Sequence, residues 1–150
     1  MLKKVILTIA LIAAAGFFML QCANTQTPEA IAWMTDIDQG LALAADNGKP
    51  VMVDFMATWC PPCHKMEDST FSHKEVIDKS LQFIAVRIDV DQQGEIANQY
   101  NGNASKYGGV GIPNVLFLDS EGNELKHPVG YLNPQQFLAI MDSVLALNRQ

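Results

Sequence analysis

The sequence predicts an α/β fold in which a mixed β-sheet is covered by helices on both faces. From Ile31 onward, strand-like and helix-like segments alternate along the chain. Residues 51–57 are nearly continuously apolar, which is typical of a strand buried on both faces of a sheet. Residues 114–119 and 125–129 are joined by a short polar stretch with a glycine, which indicates an antiparallel hairpin. Alternating helices and a hairpin together predict both parallel and antiparallel strand pairs.

The elements before the apolar strand and just after it follow from local signals. Residues 31–34 predict a short edge strand. Ile37–Asn47 then predicts a helix with Gly48 as its C-terminal cap, and its inward side is expected to carry Leu41, Ala44 and Ala45. Residues 60–79 predict a second helix, which is expected to break near residues 71–73.

The second half of the chain completes the pattern. Residues 83–90 predict another buried strand, and residues 95–100 begin a further helix. Residues 101–109 are rich in glycine and asparagine, which favours a loop or a distorted helix end. Asn133 supplies an N-cap and Pro134 a first helical position, so a C-terminal helix is expected to run to about Asn148.

The N-terminal residues 1–22 predict an export signal. Two early lysines precede an uncharged run at residues 5–20, which is typical of a secretory signal and short for a membrane span of about 20 apolar residues. Cys22 follows the run and resembles the lipid-attachment cysteine of bacterial lipoproteins, although Gln21 stands where such sites usually have a small residue. An uncleaved anchor and an unmodified Cys22 are the alternatives. The sequence therefore predicts location in the periplasm or cell envelope.

The remaining chain divides into a polar tether at residues 23–30 and one domain at residues 31–150. Residues 1–22 hold two of the ten basic residues and none of the sixteen acidic ones, so the rest carries a formal charge of −8. This charge argues against binding to nucleic acid, and it restricts membrane contact to an N-terminal lipid or anchor. We expect a monomer.

Cys60 and Cys63 are the residues with the clearest chemistry. They are separated by two residues at the point where a predicted buried strand gives way to a helix. A cysteine at a helix N-terminus is stabilised as thiolate by backbone N–H groups and the helix dipole, and the thiolate is the form that attacks disulfides. We expect Cys60 to be exposed and nucleophilic, and Cys63 to lie deeper as the resolving thiol.

This segment resembles the active site of the thioredoxin superfamily. Residues 53–60 and Cys63 match that active-site segment, and residues 106–108 and 111–113 match the segment that leads into the family's cis-proline. The resemblance covers the whole domain and implies a thioredoxin-like fold. Two features depart from the family pattern: the dipeptide Pro61–Pro62 between the cysteines, and extra length at residues 99–105.

Within the superfamily, the chain is most similar to the C-terminal periplasmic reductase domains of bacterial thiol:disulfide interchange proteins. This similarity is carried by residues 48–52, by Glu67, by residues 70–72 and by Val76. It implies that Glu67, four residues after Cys63, tunes the resolving thiol. A solvated helix charge is the alternative interpretation of Glu67.

The superfamily resemblance also implies roles for residues around the cysteines. Asp54 would lie beneath them and accept the Cys63 proton through water, with a pKa raised by burial. Pro113 would be the cis-proline facing the cysteines, and Ile112 would present its backbone to an extended substrate beside Trp59. The alternatives are a plain hydrogen-bonded acid for Asp54 and an ordinary turn proline for Pro113.

Three neighbours of the cysteines are expected to tune their redox chemistry in opposite directions. Pro61 and Pro62 lack two N–H groups that would otherwise stabilise a Cys60 thiolate, which favours a more reducing pair. His64 lies four residues after Cys60 and, when protonated, favours the thiolate. The sequence does not rank these effects.

Other functions of the same residues are weaker hypotheses. The run from Cys60 to His64 is formally a haem-attachment motif, but it follows a buried strand and a tryptophan rather than lying among helices. Zinc or copper binding would have to recruit irregularly spaced ligands, namely His64, His73, His127 and Cys22. Residues 89–100 lack the final glutamate of a calcium loop.

The sequence therefore predicts a thiol:disulfide oxidoreductase of the bacterial envelope that reduces protein disulfides through Cys60 and Cys63. Its expected partners are protein disulfide substrates and a thiol electron donor, and the chemistry needs no cofactor or metal. The alternatives are a disulfide oxidase or isomerase, and an envelope copper- or other metal-binding protein that uses the cysteine pair.

Overall fold

The computed structural model describes residues 28–103 and 111–149. The export signal, Cys22, most of the tether and the motif at residues 106–108 lie outside the described residues. Within the described ranges, no helix is long and apolar enough to cross a membrane.

The described residues form alternating helices and strands around one sheet. The helices are α1 (Ile37–Asn47), α2 (Pro61–Met66), α3 (Lys74–Ser80), α4 (Gly94–Gln99) and α5 (Pro134–Leu147). A π-helical turn (Glu67–Phe71) continues α2 directly. The strands are β1 (Val51–Met56), β2 (Ile84–Asp89), β3 (Asn114–Leu118) and β4 (Glu124–Lys126).

The sheet is mixed, with the strand order β2–β1–β3–β4. β1 pairs in parallel with β2 and antiparallel with β3, while β3 and β4 form the antiparallel hairpin. The predicted α/β class with a mixed sheet is therefore confirmed. β1 lies in the interior of the sheet, and its residues from Val51 to Phe55 are all buried.

Successive side chains of a strand point to opposite faces of the sheet. β1 therefore contributes side chains to two hydrophobic cores, one on each face. Val51, Val53 and Phe55 pack on one face with residues of α1 and α4. Met52 packs on the other face with residues of the π-helical turn, α3 and α5. Asp54 shares the strand face of Met52, so its carboxyl group points to the side of the sheet covered by α2 and the π-helical turn.

The helix ends carry the caps that the sequence predicts. Gly48 ends α1 in the left-handed conformation at φ 64°, which costs glycine little. Asn133 and Gln136 form a reciprocal capping box at the start of α5, with Pro134 in the first turn. The expected break after α2 is also present, because Ser72 and His73 separate the π-helical turn from α3.

Three details of the secondary-structure prediction were wrong. Residues 31–34 form no strand, and Met34 instead makes a single parallel bridge to Val86. Ala45 is exposed, because α1 faces the sheet through Ile37, Gly40 and Ala44.

The third wrong detail is the second strand of the hairpin, which ends early. β4 stops at Lys126, and Val129 pairs with Asn114 only as an isolated bridge. Pro128 lies between them and lacks the N–H group that a regular ladder would use, although its carbonyl still accepts from Val115 N.

Candidate active site

Cys60 and Cys63 are joined by a disulfide at the N-terminal end of α2, with an S–S distance of 2.00 Å. β1 ends at Met56, a short turn follows, and Cys60 N–H donates to the Ala57 carbonyl at 3.2 Å. Cys60 is the N-cap residue of α2, so the strand-to-helix junction holds both sulfurs at one point. The predicted cysteine pair is confirmed.

The two prolines leave the Cys60 sulfur with a limited set of backbone donors. Pro61 and Pro62 occupy the first turn of α2 and have no N–H to offer. The N–H of Cys63 donates to Cys60 Sγ at 3.3 Å. The N-terminus of α2 therefore still supplies one backbone donor to the Cys60 sulfur, from Cys63, the third residue of the helix.

The expected exposure of Cys60 was wrong for the disulfide form. Cys60 is 2% exposed and Cys63 is 6% exposed. The reason is geometric, because Cys60 turns inward to bond Cys63, and both pack in a small cluster with Ala57 and Ile112. Access to Cys60 is provided instead by a groove beside it.

This groove, of about 520 Å³, lies on the Cys60 side of the disulfide. Its lining includes the exposed indole of Trp59, whose Nε1–H donates to Asp91 Oδ2 at 2.6 Å. Trp59 is 65% exposed, so one end of its ring is anchored while the ring itself remains open to a ligand. Gly111 and Ile112 also line the groove, together with Gly94 and Asn98 of α4.

The loop that carries Ile112 is fixed by a buried amide. The Ile112–Pro113 peptide bond is cis, and Pro113 is buried. Asn114, which follows it, donates from Nδ2 to the carbonyls of Gly102 and Gly111 and pairs through Oδ1 with His127 Nε2 at 2.7 Å. Asn114 therefore joins the wall of the groove to the segment after α4.

A second cavity, of about 70 Å³, lies on the Cys63 side of the disulfide. Its lining brings together five chemically active side chains: Asp54, Cys63, His64, Glu67 and Arg87. Asp54 is almost fully buried, and its Oδ2 accepts a hydrogen bond from Arg87 Nε at 2.8 Å. Among the described residues, Asp54 Oδ1 has no hydrogen-bond partner.

Burial dominates the acidity of Asp54. Desolvation of its carboxylate raises the pKa from 3.8 to about 6, although the neighbouring Arg87 guanidinium opposes this rise by its charge and its hydrogen bond. The negative charge of Glu67 adds a smaller upward contribution. Asp54 therefore changes protonation state close to neutral pH, where a proton acceptor is useful.

Sequence reasoning missed Arg87. It lies on β2 directly across from Asp54 in the parallel register, and its Nη2 donates to Glu67 Oε2 at 2.5 Å. Arg87 thus bridges the two carboxylates. A signal was present, since Arg87 is a charged residue in the middle of an otherwise apolar run at residues 83–88.

His64 lies on the Cys63 side of the disulfide, at the edge of the smaller cavity. Its Nε2 is 2.7 Å from the Thr58 carbonyl oxygen, which can only accept, so Nε2 carries a proton. His64 lines this cavity and not the groove beside Cys60, and its effect on the Cys60 thiolate stays a prediction.

The other predicted ligands are dispersed. His73 precedes α3, and His127 pairs with Asn114 near the hairpin. Across residues 28–103 and 111–149, no three histidine, cysteine, aspartate or glutamate side chains gather into a metal-binding group.

The chain belongs to the thioredoxin-like domain family, whose sequence model matches residues 37–145. Among solved structures, the fold is similar to a thioredoxin from Thermus thermophilus, with a TM-score of 0.66 and 25% identity over 79% of this chain and 90% of that one. It is also similar to the oxidised C-terminal domain of DsbD from Neisseria meningitidis, with a TM-score of 0.57 and 25% identity over 74% and 97% of the two chains.

Curated relatives include the thiol:disulfide interchange protein DsbD of Tatumella citrea, which is 35% identical over 113 residues. The match covers 73% of this chain and 18% of that protein. The chloroplastic thioredoxin-like protein HCF164 of Oryza sativa is 33% identical over 104 residues, which is 69% of this chain and 36% of HCF164. The chain thus spans only about a fifth to a third of the length of these relatives.

Proposed function

We propose that this protein is a thiol:disulfide oxidoreductase of the bacterial envelope that reduces protein disulfides. One observation carries the proposal: the Cys60–Cys63 disulfide lies between an open groove on one side and a buried proton acceptor, Asp54, on the other. The similarity to DsbD and its C-terminal domain supports the same chemistry.

The first step is attack by the reduced protein on a substrate disulfide. The Cys60 thiolate forms a bond to one substrate sulfur, the substrate S–S bond breaks, and the departing sulfur leaves as a thiolate that takes a proton from solvent. A mixed disulfide now joins Cys60 to the substrate. Trp59 and the backbone of Ile112 line the groove where an extended substrate segment would lie.

The second step releases the substrate. The Cys63 thiol gives its proton to Asp54, and the resulting thiolate attacks Cys60 Sγ, so that the mixed disulfide breaks and the second substrate thiolate departs. The cavity between them is large enough for a bridging water, which needs roughly 10–15 Å³. Two electrons have passed to the substrate, and the protein is left with the disulfide seen here.

Glu67 and Arg87 adjust this proton acceptor. The Arg87 guanidinium lowers the pKa of Asp54, while the charge of Glu67 raises it. Glu67 is half-exposed, so it also connects the Asp54 cavity with solvent. In the proposed mechanism, Glu67 and Asp54 both accept hydrogen bonds from Arg87, so Glu67 acts on Asp54 through this arginine.

The cellular setting is part of the proposal. An export signal at residues 1–22, with Cys22 as a lipid-attachment residue and residues 23–30 as a tether, would place a monomeric domain in the periplasm or on the envelope membrane. There it would meet disulfide-bonded proteins and a thiol electron donor. The name of DsbD, a thiol:disulfide interchange protein, supports this class of partner.

The direction of electron flow is tested by the reduction potential of the pair. A pair that reduces protein disulfides is expected to have a value near that of thioredoxin, about −270 mV. Pro61 and Pro62, which offer the Cys60 thiolate no N–H donors, favour this direction. The measurement is equilibration with glutathione buffers followed by thiol alkylation. A value near −120 mV would instead indicate a disulfide oxidase.

A further inference from the structure

The guanidinium of Arg87 contacts two aromatic rings in addition to the carboxylates of Asp54 and Glu67. Its central carbon lies 4.2 Å from the ring centroid of Trp33 and 5.4 Å from that of Phe71. Cations are attracted to the faces of aromatic rings, most strongly to tryptophan. Arg87 is thus stacked on Trp33 while its nitrogens point at Asp54 and Glu67.

The backbone next to Trp33 binds the same arginine. Arg87 N–H donates to the Met34 carbonyl at 2.7 Å, and Met34 N–H donates to the Ala85 carbonyl at 2.9 Å. Trp33 itself packs edge-on against Phe71, at 5.1 Å between ring centroids. Residues 33 and 34 therefore fix both the main chain and the side chain of Arg87.

The orientation of Arg87 matters because solvent is close. The side chain of Arg87 is 21% exposed, so without the tryptophan face the guanidinium has a route toward water. In the oxidised protein, the charged and titratable groups that line the cavity with Asp54 are His64, Glu67 and Arg87. Arg87 supplies the hydrogen bond and the positive charge that oppose the desolvation of Asp54.

We propose that Trp33 is a positioning residue of the redox centre: it holds the Arg87 guanidinium in the orientation that bridges Asp54 and Glu67, and thereby sets the proton affinity of Asp54. This inference rests on the proposed function, in which Asp54 exchanges a proton with Cys63. It gives the segment between the tether and α1 a part in the chemistry, although that segment contributes no residue to either cavity beside the disulfide.

The test is an NMR titration of the Asp54 carboxyl carbon in the oxidised full-length protein, where neither cysteine of the pair titrates. Trp33→Leu keeps an apolar side chain but removes the π face, and we expect it to raise the Asp54 midpoint by about half a pH unit or more. Trp33→Phe keeps a weaker π face and should give a smaller rise. Phe83→Leu removes another aromatic ring from the same core without touching Arg87, and should leave the midpoint in place.

An unchanged or lowered midpoint in folded Trp33→Leu protein would overturn the proposal, as would an equal rise in Phe83→Leu. If Trp33→Leu does not fold, the comparison of Trp33→Phe with Phe83→Leu decides by the same criteria. The proposed function is tested by a separate experiment. If Asp54→Asn resolves mixed disulfides at the normal rate, its proton step is wrong, whereas the titration still reports whether Trp33 controls Asp54.

Discussion

Cys60→Ser is expected to lose all catalysed reduction of protein disulfides. A serine hydroxyl is not ionised near neutral pH and does not form a disulfide, so neither the attack on the substrate nor the mixed disulfide is available. Serine is also a favoured N-cap residue, so α2 should still begin at Pro61. The rate of insulin reduction with dithiothreitol as electron donor should fall to that of dithiothreitol alone.

The matched control for this variant is Cys22→Ser, which removes the cysteine outside the pair. It should reduce insulin at the wild-type rate in solution. Normal insulin reduction by Cys60→Ser would show that Cys60 is not the attacking residue.

Asp54→Asn is expected to slow the resolving step by roughly a hundredfold near pH 7, the lower end of what general acid–base catalysis contributes. Asparagine has a similar shape but accepts no proton, so the Cys63 thiol must lose its proton to solvent. The first step, attack by Cys60, does not use Asp54 and should change much less. Single-turnover kinetics with a fluorescent disulfide peptide separate the two steps.

The same substitution should change how stability depends on pH. The pKa of Asp54 is raised to about 6 in the fold, so its stabilising contribution is fully present below pH 3.8 and is lost as pH rises through 6. From this shift, wild-type protein should lose about 2 kcal/mol of unfolding free energy between pH 4.5 and 7.5 that Asp54→Asn does not lose. The substitution also alters the hydrogen-bond partner of Arg87, which changes the free energy of unfolding at both pH values. Taking the difference between the two pH values cancels this contribution.

Urea unfolding of both oxidised proteins at the two pH values measures this difference. Parallel pH dependence in wild type and Asp54→Asn would contradict the raised pKa of Asp54. If wild type lost less unfolding free energy over this pH range than Asp54→Asn, the pKa of Asp54 would be lowered in the fold rather than raised.

The fold and the cysteine pair were predictable because their signals are local. The apolar run of β1, the capping residues of α5 and the spacing of Cys60 and Cys63 each fit within a short window of sequence. Alternation along β1 is also a local property, and it places Asp54 on the face of Met52. The burial of Cys60 was mispredicted because it depends on the inward turn that the disulfide requires.

Arg87 and Trp33 could not be assigned in the same way. Arg87 contacts Asp54 because the register of β1 and β2 places the two residues side by side. They are 33 residues apart in sequence, and no local pattern encodes that register. Trp33 reaches Arg87 through an isolated bridge at Met34. Contacts of this kind depend on tertiary packing, and they include the residues that adjust the chemistry of the site.

The most direct measurement of the central claim is the location of the trapped intermediate in Cys63→Ser. If Cys60 attacks and Cys63 resolves, reduced Cys63→Ser protein mixed with a disulfide peptide should accumulate a stable mixed disulfide. Peptide mass spectrometry, which distinguishes Cys60 from Cys22, should then find the adduct on Cys60. Failure to form any adduct, or an adduct on Cys22 alone, would contradict the assignment of the redox pair.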